Sequence, residues 1–226
     1  MEYEIQAAAE ERFIANGAFY EGYAAIVGAG KNNNILHYRE SYAKARRKDL
    51  VLMDFGPDYR YYIADITRTW PVKGTFSERQ REVYNDVLDV QKKLIEAVKP
   101  GMTSADINQL SSKLFKEKGY GRDKTLHGVS HYLGMAVHDV GSYNKPLEPG
   151  VVITIEPGVY LPDEGFGIRI EDVVLVTDKG ADVLSAMIPK EISEIEAIVQ
   201  GTLDPFAKKE EKTESESKSE PAATVH

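Results

Sequence analysis

Four carboxylates stand inside the stretches of this sequence best suited to be buried strands. Asp54 closes the apolar run LVLMDFG, and Asp65 lies in IADITRT. Glu156 follows VVITI, and Glu171 lies in GIRIED. An apolar strand is a costly place for a charge that nothing pairs with. The spacing adds geometry. Residues an odd number apart face each other across a simple two-residue hairpin. This predicts reversals at Tyr59-Arg60 for Asp54 with Asp65, and at Asp163-Glu164 for Glu156 with Glu171. Each pair then points to one face of its hairpin. Four carboxylates gathered on adjacent hairpins repel unless cations sit among them, and two divalent ions meet that demand.

Composition narrows what those cations rest on. The chain has 226 residues and no cysteine, so disulfides, cysteine nucleophiles, thiolate zinc sites and iron–sulfur clusters are excluded. A metal here must sit on carboxylates and histidines. Three of the five histidines, His127, His131 and His138, fall in the single segment LHGVSHYLGMAVHD. His127 and His131 have the i, i+4 spacing of a zincin helix, but Gly128 stands where that motif needs glutamate. A net charge of −8 argues against nucleic acid as the main partner. No apolar run is long enough to span a membrane as a helix. The acidic opening MEYEIQAAAEE is unlike a signal peptide, and a cytoplasmic location is the expectation.

Helical and strand patterns alternate along the chain. Residues 2–16 read as a helix with Ile5, Ala8, Ala9 and Phe13 on one face. Residues 23–27, 35–38, 50–55 and 61–69 read as strands. Ser77-Glu78-Arg79-Gln80 is a capping box that opens a long helix to Val98, stopped by Pro100-Gly101. Thr103 caps a further helix that ends at Gly119. Residues 151–155 and 167–176 are again strand-like. The Tyr-rich stretch 59–62 reads as packing. A faint repeat emerges: residues 102–119 resemble 1–17, and 151–176 resemble 50–69. The expectation is one α+β domain of two pseudo-twofold halves over residues 1–206, with 207–226 a disordered polar tail. The second half has a long helix that the first does not, so an additional helix is expected ahead of residue 1.

The segments MDFG…ADITRT, HGVSHYLGMAVHDVG, TIEPGVY and GIRIED, in this order, resemble the pita-bread metallopeptidases. Within them the likeness is strongest to the Xaa-Pro aminopeptidases, with prolidases next. The resemblance implies the pita-bread fold and a dinuclear metal site with ligands Asp54, Asp65, His131, Glu156 and Glu171. By the family pattern Asp65 and Glu171 bridge both ions. Asp54 completes one, and His131 with Glu156 the other. The ions are two divalent metals, Mn²⁺ first, with Co²⁺, Zn²⁺ or Fe²⁺ as alternatives. The implied activity is hydrolysis of the bond before proline, releasing the N-terminal residue. His138, Glu156 and His127 are the expected catalytic residues, with Glu156 shuttling a proton. His37, His127, His138, Tyr160 and Arg169 are the expected substrate contacts. Thr67, on the face of Asp65, is expected to orient that carboxylate. The implied partners are peptides with proline second, and a homo-oligomer is compatible with the pattern. A dipeptide-specific prolidase and a non-catalytic pita-bread binding module or inactive fragment are the alternatives. Relatives usually carry an N-terminal domain that closes the site, and this chain is expected to lack it.

Overall fold

The computed structural model describes residues 1–205; the expected tail at 207–226 lies outside them. Four helices are described: α1 (Glu2–Ala15), α2 (Glu78–Ala97), α3 (Ser104–Glu117) and α4 (Ile192–Val199). The first group of strands is β1 (Tyr20–Glu21), β2 (Ile26–Ala29), β3 (Leu50–Asp54), β4 (Pro57–Tyr59), β5 (Tyr62–Ile63) and β6 (Thr67–Pro71). The second is β7 (Val152–Ile155), β8 (Gly158–Leu161), β9 (Phe166–Arg169), β10 (Asp172–Thr177) and β11 (Gly180–Val183).

The two groups repeat one plan. β2-β3-β6 and β11-β10-β7 are antiparallel sheets. In each, a pair of strands bends out of the sheet and continues as a short inner hairpin, β4–β5 in one case and β8–β9 in the other. The carboxylates sit at these bends. Asp54 ends β3, Asp65 precedes β6, Glu156 follows β7, and Glu171 lies between β9 and β10.

The second register is the expected one. Ile155 pairs with Asp172 and Gly158 with Arg169, so both ladders set Glu156 opposite Glu171. The first differs by one position. Asp54 opposes Thr67, and the reversal falls at Arg60-Tyr61, not Tyr59-Arg60. The Asp58 carboxylate accepts the Tyr61 N–H (3.0 Å), a side-chain turn that delays the reversal by one residue. Asp54 and Asp65 are therefore diagonal neighbours on one face, not direct partners. The same turn, with Arg60 and Tyr61 at φ 52° and 72°, exposes Tyr59, Tyr61 and Tyr62, which the sequence placed in packing. At the bend itself, a Cβ on Gly56 would lie 1.8 Å from the Ala64 carbonyl oxygen, so only glycine allows the strands to cross there.

Both long helices start where their caps place them. Ser77 accepts the Gln80 N–H, and Thr103 accepts the Asp106 N–H. α2 lays Val83, Tyr84, Val87, Leu88, Val90 and Leu94 into one core with Ile107 and Phe115 of α3 and the inner faces of β7, β9 and β10. Each such side chain stabilises the fold by about 1.5–3 kcal/mol. α1 packs Ile5, Ala9 and Phe13 on the other sheet, while Ala8 is exposed. α4 and β11 complete the second core and were not apparent from the sequence.

The strand expected at 35–38 is absent. The buried Glu2 carboxylate accepts hydrogen bonds from Ala29 N, Asn32 Nδ2, Tyr38 Oη and Ala43 N. The chain from 30 to 43 wraps around that carboxylate instead of joining a ladder. Among the described residues, no helix is long and apolar enough to cross a membrane.

Candidate metal centre and substrate cavity

The two bends are stitched together. The Glu171 N–H donates to Thr67 O, the Thr69 hydroxyl donates to Arg169 O, and the Thr67 hydroxyl donates to Glu171 Oε2 (2.6 Å). Thr67 thus orients Glu171 rather than Asp65, because β6 lies directly beside the Arg169–Glu171 segment. From behind, Arg68 donates to the carbonyls of Thr67 and Glu171 and pairs with Asp172 (2.7 Å). Asp172 also accepts from Gln91, Ser185 and Lys190, so this buried polar network is satisfied on every side.

His131 arrives from an irregular segment, not the helix that a zincin spacing would need. The segment is held along β7. Thr154 N donates to His131 O, Glu156 N donates to Val129 O, and Tyr132 bridges to Ile153. His131 Nε2 then lies 3.3 Å from Asp65 Oδ2 and 3.5 Å from Glu156 Oε1. Donor atoms of Asp65, His131 and Glu171 all fall within 4.8 Å of one another. Tyr23 Oη closes the other side, 2.7 Å from Asp54 Oδ1 and 2.6 Å from Asp65 Oδ1.

A second chain of contacts leads away from Asp54. Arg169 Nη2 donates to Asp54 Oδ2 (2.7 Å), and Nη1 donates to Tyr160 Oη (2.9 Å). Tyr160 Oη is 2.8 Å from His127 Nε2, while His127 Nδ1 is 2.8 Å from Gly128 O. With Nδ1 donating to that carbonyl, Nε2 is left to accept the tyrosine proton.

Burial governs the protonation of the cluster. Burial first, then the neighbouring acids, push Asp54 up to about 6 and Glu156 up to about 8, against the field of Arg169. Burial and the same acids drive Glu171 well above the carboxylate range. Burial and Arg169 lower His127 to about 4, so it is neutral. Burial also lowers His37 and His138. His131 is raised: burial works against its charge, but Asp65 and Glu156 overcome it.

The cluster forms the floor of a cavity of about 390 Å³ whose walls include His37, Arg39, His127, His138 and Tyr143. The His131 and His138 rings are 4.3 Å apart. Tyr160 lies fully buried behind His127 rather than on the wall. A larger cleft of about 490 Å³ at the far end of β2 and β3 has basic walls and none of these donors. Tyr23, Arg39 and Tyr143 were not singled out from the sequence, because no local spacing ties them to the acids. Asp172, a second acid in the strand-like GIRIED, was the one available signal for the rear network.

Four carboxylates and one imidazole converge in a closed floor where two repeated hairpins meet. Fold and floor together are those of a pita-bread metallopeptidase. A model of metallopeptidase family M24 matches residues 1–178, and the chain belongs to that family. It is 39% identical over 227 residues to the Xaa-Pro aminopeptidase of Escherichia coli, covering 88% of this chain and 52% of the relative. It is 40% identical over 188 residues to the Xaa-Pro dipeptidase of Pyrococcus furiosus, covering 81% and 53%. The solved structure of Escherichia coli aminopeptidase P with the inhibitor Pro-Leu matches at a TM-score of 0.82 and 37% identity, over 89% of this chain and 52% of that one. The chain spans about half the length of the curated relatives it matches.

Proposed function

We propose that this chain carries the catalytic unit of a metal-dependent Xaa-Pro aminopeptidase. Residues 1–206 make up that unit, and it acts on peptides with proline at the second position. The observation that carries this reading is the convergence of Asp54, Asp65, His131, Glu156 and Glu171 on one cavity floor. The donor chemistry fits divalent cations. Buried acids this close cannot all ionise without positive charge among them. Oxygen-rich donors with one imidazole suit Mn²⁺ best, with Co²⁺, Zn²⁺ or Fe²⁺ as alternatives. Asp54, Asp65, His131, Glu156 and Glu171 would hold the ions, with Asp65 and Glu171 shared, Asp54 serving one ion, and His131 with Glu156 the other. When bound, two such ions supply Lewis-acid activation of water and of a carbonyl at neutral pH.

The chain's own groups do the rest. Glu156 is the proton shuttle, taking a proton from the attacking water and giving it to the proline nitrogen. His138, beside His131 on the wall, donates to the substrate carbonyl oxygen. His127 and His37 hold the proline side. Arg169 and Tyr160 keep His127 in one tautomer and Asp54 in one orientation. An Xaa-Pro bond has no N–H to offer, and neutral imidazoles ask for none. A cytoplasmic site of action is part of the same reading.

The test incubates the Mn²⁺-loaded protein with an Xaa-Pro dipeptide, an Xaa-Pro tripeptide and a Met-Ala peptide. Cleavage of the tripeptide is expected. The likeness to a dipeptidase favours one second reading, and dipeptide-only cleavage would select it. A Glu171→Ala variant is expected to lose at least one bound ion by calorimetry. Unchanged metal stoichiometry would sink the ligand assignment.

A further inference from the structure

Two permanent cations line the cavity among the described residues, Arg169 and Arg39. Arg169 is buried and fully engaged by Asp54, Tyr160 and Thr67. Arg39 is the opposite case. It is exposed on the wall, and its guanidinium has no carboxylate or hydrogen-bond partner among the described residues. The adjacent Glu40 carboxylate accepts Arg39's own backbone N–H and leaves the side chain free. The loop is anchored on both sides: the Tyr38 hydroxyl and the Ala43 backbone N–H both donate to the buried Glu2 Oε2. Arg39 is thus an unpaired cation on an anchored loop, two residues beyond His37, at a cavity whose floor is acidic.

We propose that Arg39 is a specificity-determining residue that pairs with a carboxylate on the leaving-group side of a peptide substrate. The inference rests on the Xaa-Pro reading above, which gives the His37 wall to the proline side. A guanidinium matches a carboxylate with two parallel N–H donors, and a pinned loop loses little freedom on pairing. The carboxylate has two sources: the free C-terminus of a short peptide, or an acidic side chain after proline. Among the described residues no other free cation lines the walls, so an amide or neutral residue there forgoes the contact.

Binding is measured first, by calorimetry on the full chain loaded with Mn²⁺, using Pro-Leu and Pro-Leu amide. Wild type is expected to prefer the acid by about tenfold, the size of one charge-assisted pair at a half-open site. Arg39→Gln is expected to remove the preference and Arg39→Lys to keep part of it. Lys44→Gln, on the same loop but off the cavity, should keep it whole, and the melting temperatures should agree among all four proteins. Turnover is measured second, with Ala-Pro-Ala, its amide, and Ala-Pro-Glu amide. The loss in Arg39→Gln is expected in KM rather than kcat. A lost preference for Ala-Pro-Ala over its amide identifies the C-terminus as the source. A lost preference for Ala-Pro-Glu amide identifies the side chain. An acid-to-amide ratio that is the same in wild type and Arg39→Gln, in both binding and turnover, overturns the proposal. Acid-selective binding that depends on Arg39 without any hydrolysis supports Arg39 and rejects the Xaa-Pro reading, so the two failures are distinct.

Discussion

Tyr23 has one hydroxyl proton and two carboxylates within 2.7 Å, Asp54 and Asp65. One contact is the tyrosine donating. The other brings two oxygens together, a contact relieved when a carboxyl group there holds a proton. That agrees with Asp54 being pushed up to about 6. When cations replace the shared proton, Tyr23 can donate to one carboxylate and fix its rotamer. Tyr23→Phe is therefore expected to weaken divalent-metal affinity by roughly 10- to 100-fold while the fold is kept, read by calorimetry with circular dichroism as the control. Unchanged affinity would mean the ring only fills space. The acids themselves were legible because a charge in an apolar strand demands a partner. Tyr23 was not, because a tyrosine in a strand-like stretch ordinarily packs and its partners lie 31 and 42 residues away.

The helices show which local signals suffice. The caps at Ser77 and Thr103 satisfy donors within three residues, so the starts of α2 and α3 follow from short motifs. The first hairpin needed one more fact, the Asp58 contact to Tyr61, and its register slipped by a position without it. The stretch 35–38 has strand-like residues but is claimed by Glu2, a partner more than thirty residues distant. The bend at Phe55-Gly56 is the element on which the site depends most, since it turns Asp54 and Asp65 to one face. Adding a methyl group 1.8 Å from the Ala64 carbonyl forces the strands apart. Gly56→Ala is expected to cost about 3 kcal/mol or more in urea unfolding, the upper range for overpacking. It should also weaken metal binding, because Ala64 adjoins Asp65. A loss under about 1 kcal/mol would show that the bend relaxes freely.

At the scale of the molecule, each repeated half supplies two of the four acids, and the halves meet where those acids repel. Metal-free protein therefore carries a strain that depends on pH. Glu156 is held up to about 8 and Glu171 well above its ordinary range, whereas an unfolded glutamate titrates near 4.3. The folded state holds those protons more tightly than the unfolded state. Their contribution is complete below the unfolded pKa and is lost as pH rises through the folded one. Asp172 has the opposite sign, but its depressed pKa places its loss in the acid range. The lowered His37, His127 and His138 also oppose, since stability from a neutral histidine is lost as pH falls below about 6.5. Above that pH they have nothing further to give. The raised His131 sides with the acids. The clean window is thus pH 6.5 to 8, where each proton held only by the folded state is worth about 1.4 kcal/mol per pH unit. Metal-free protein is expected to lose several degrees of melting temperature across that window. With Mn²⁺ in excess the acids are ionised on both sides of it, and binding to the folded state adds about 2.7 kcal/mol at a hundred times Kd. The downward slope should then disappear. A metal-free melting temperature that stays flat or rises from pH 6.5 to 8 would mean that the four acids are not jointly strained, and the case for a shared metal floor would fall with it.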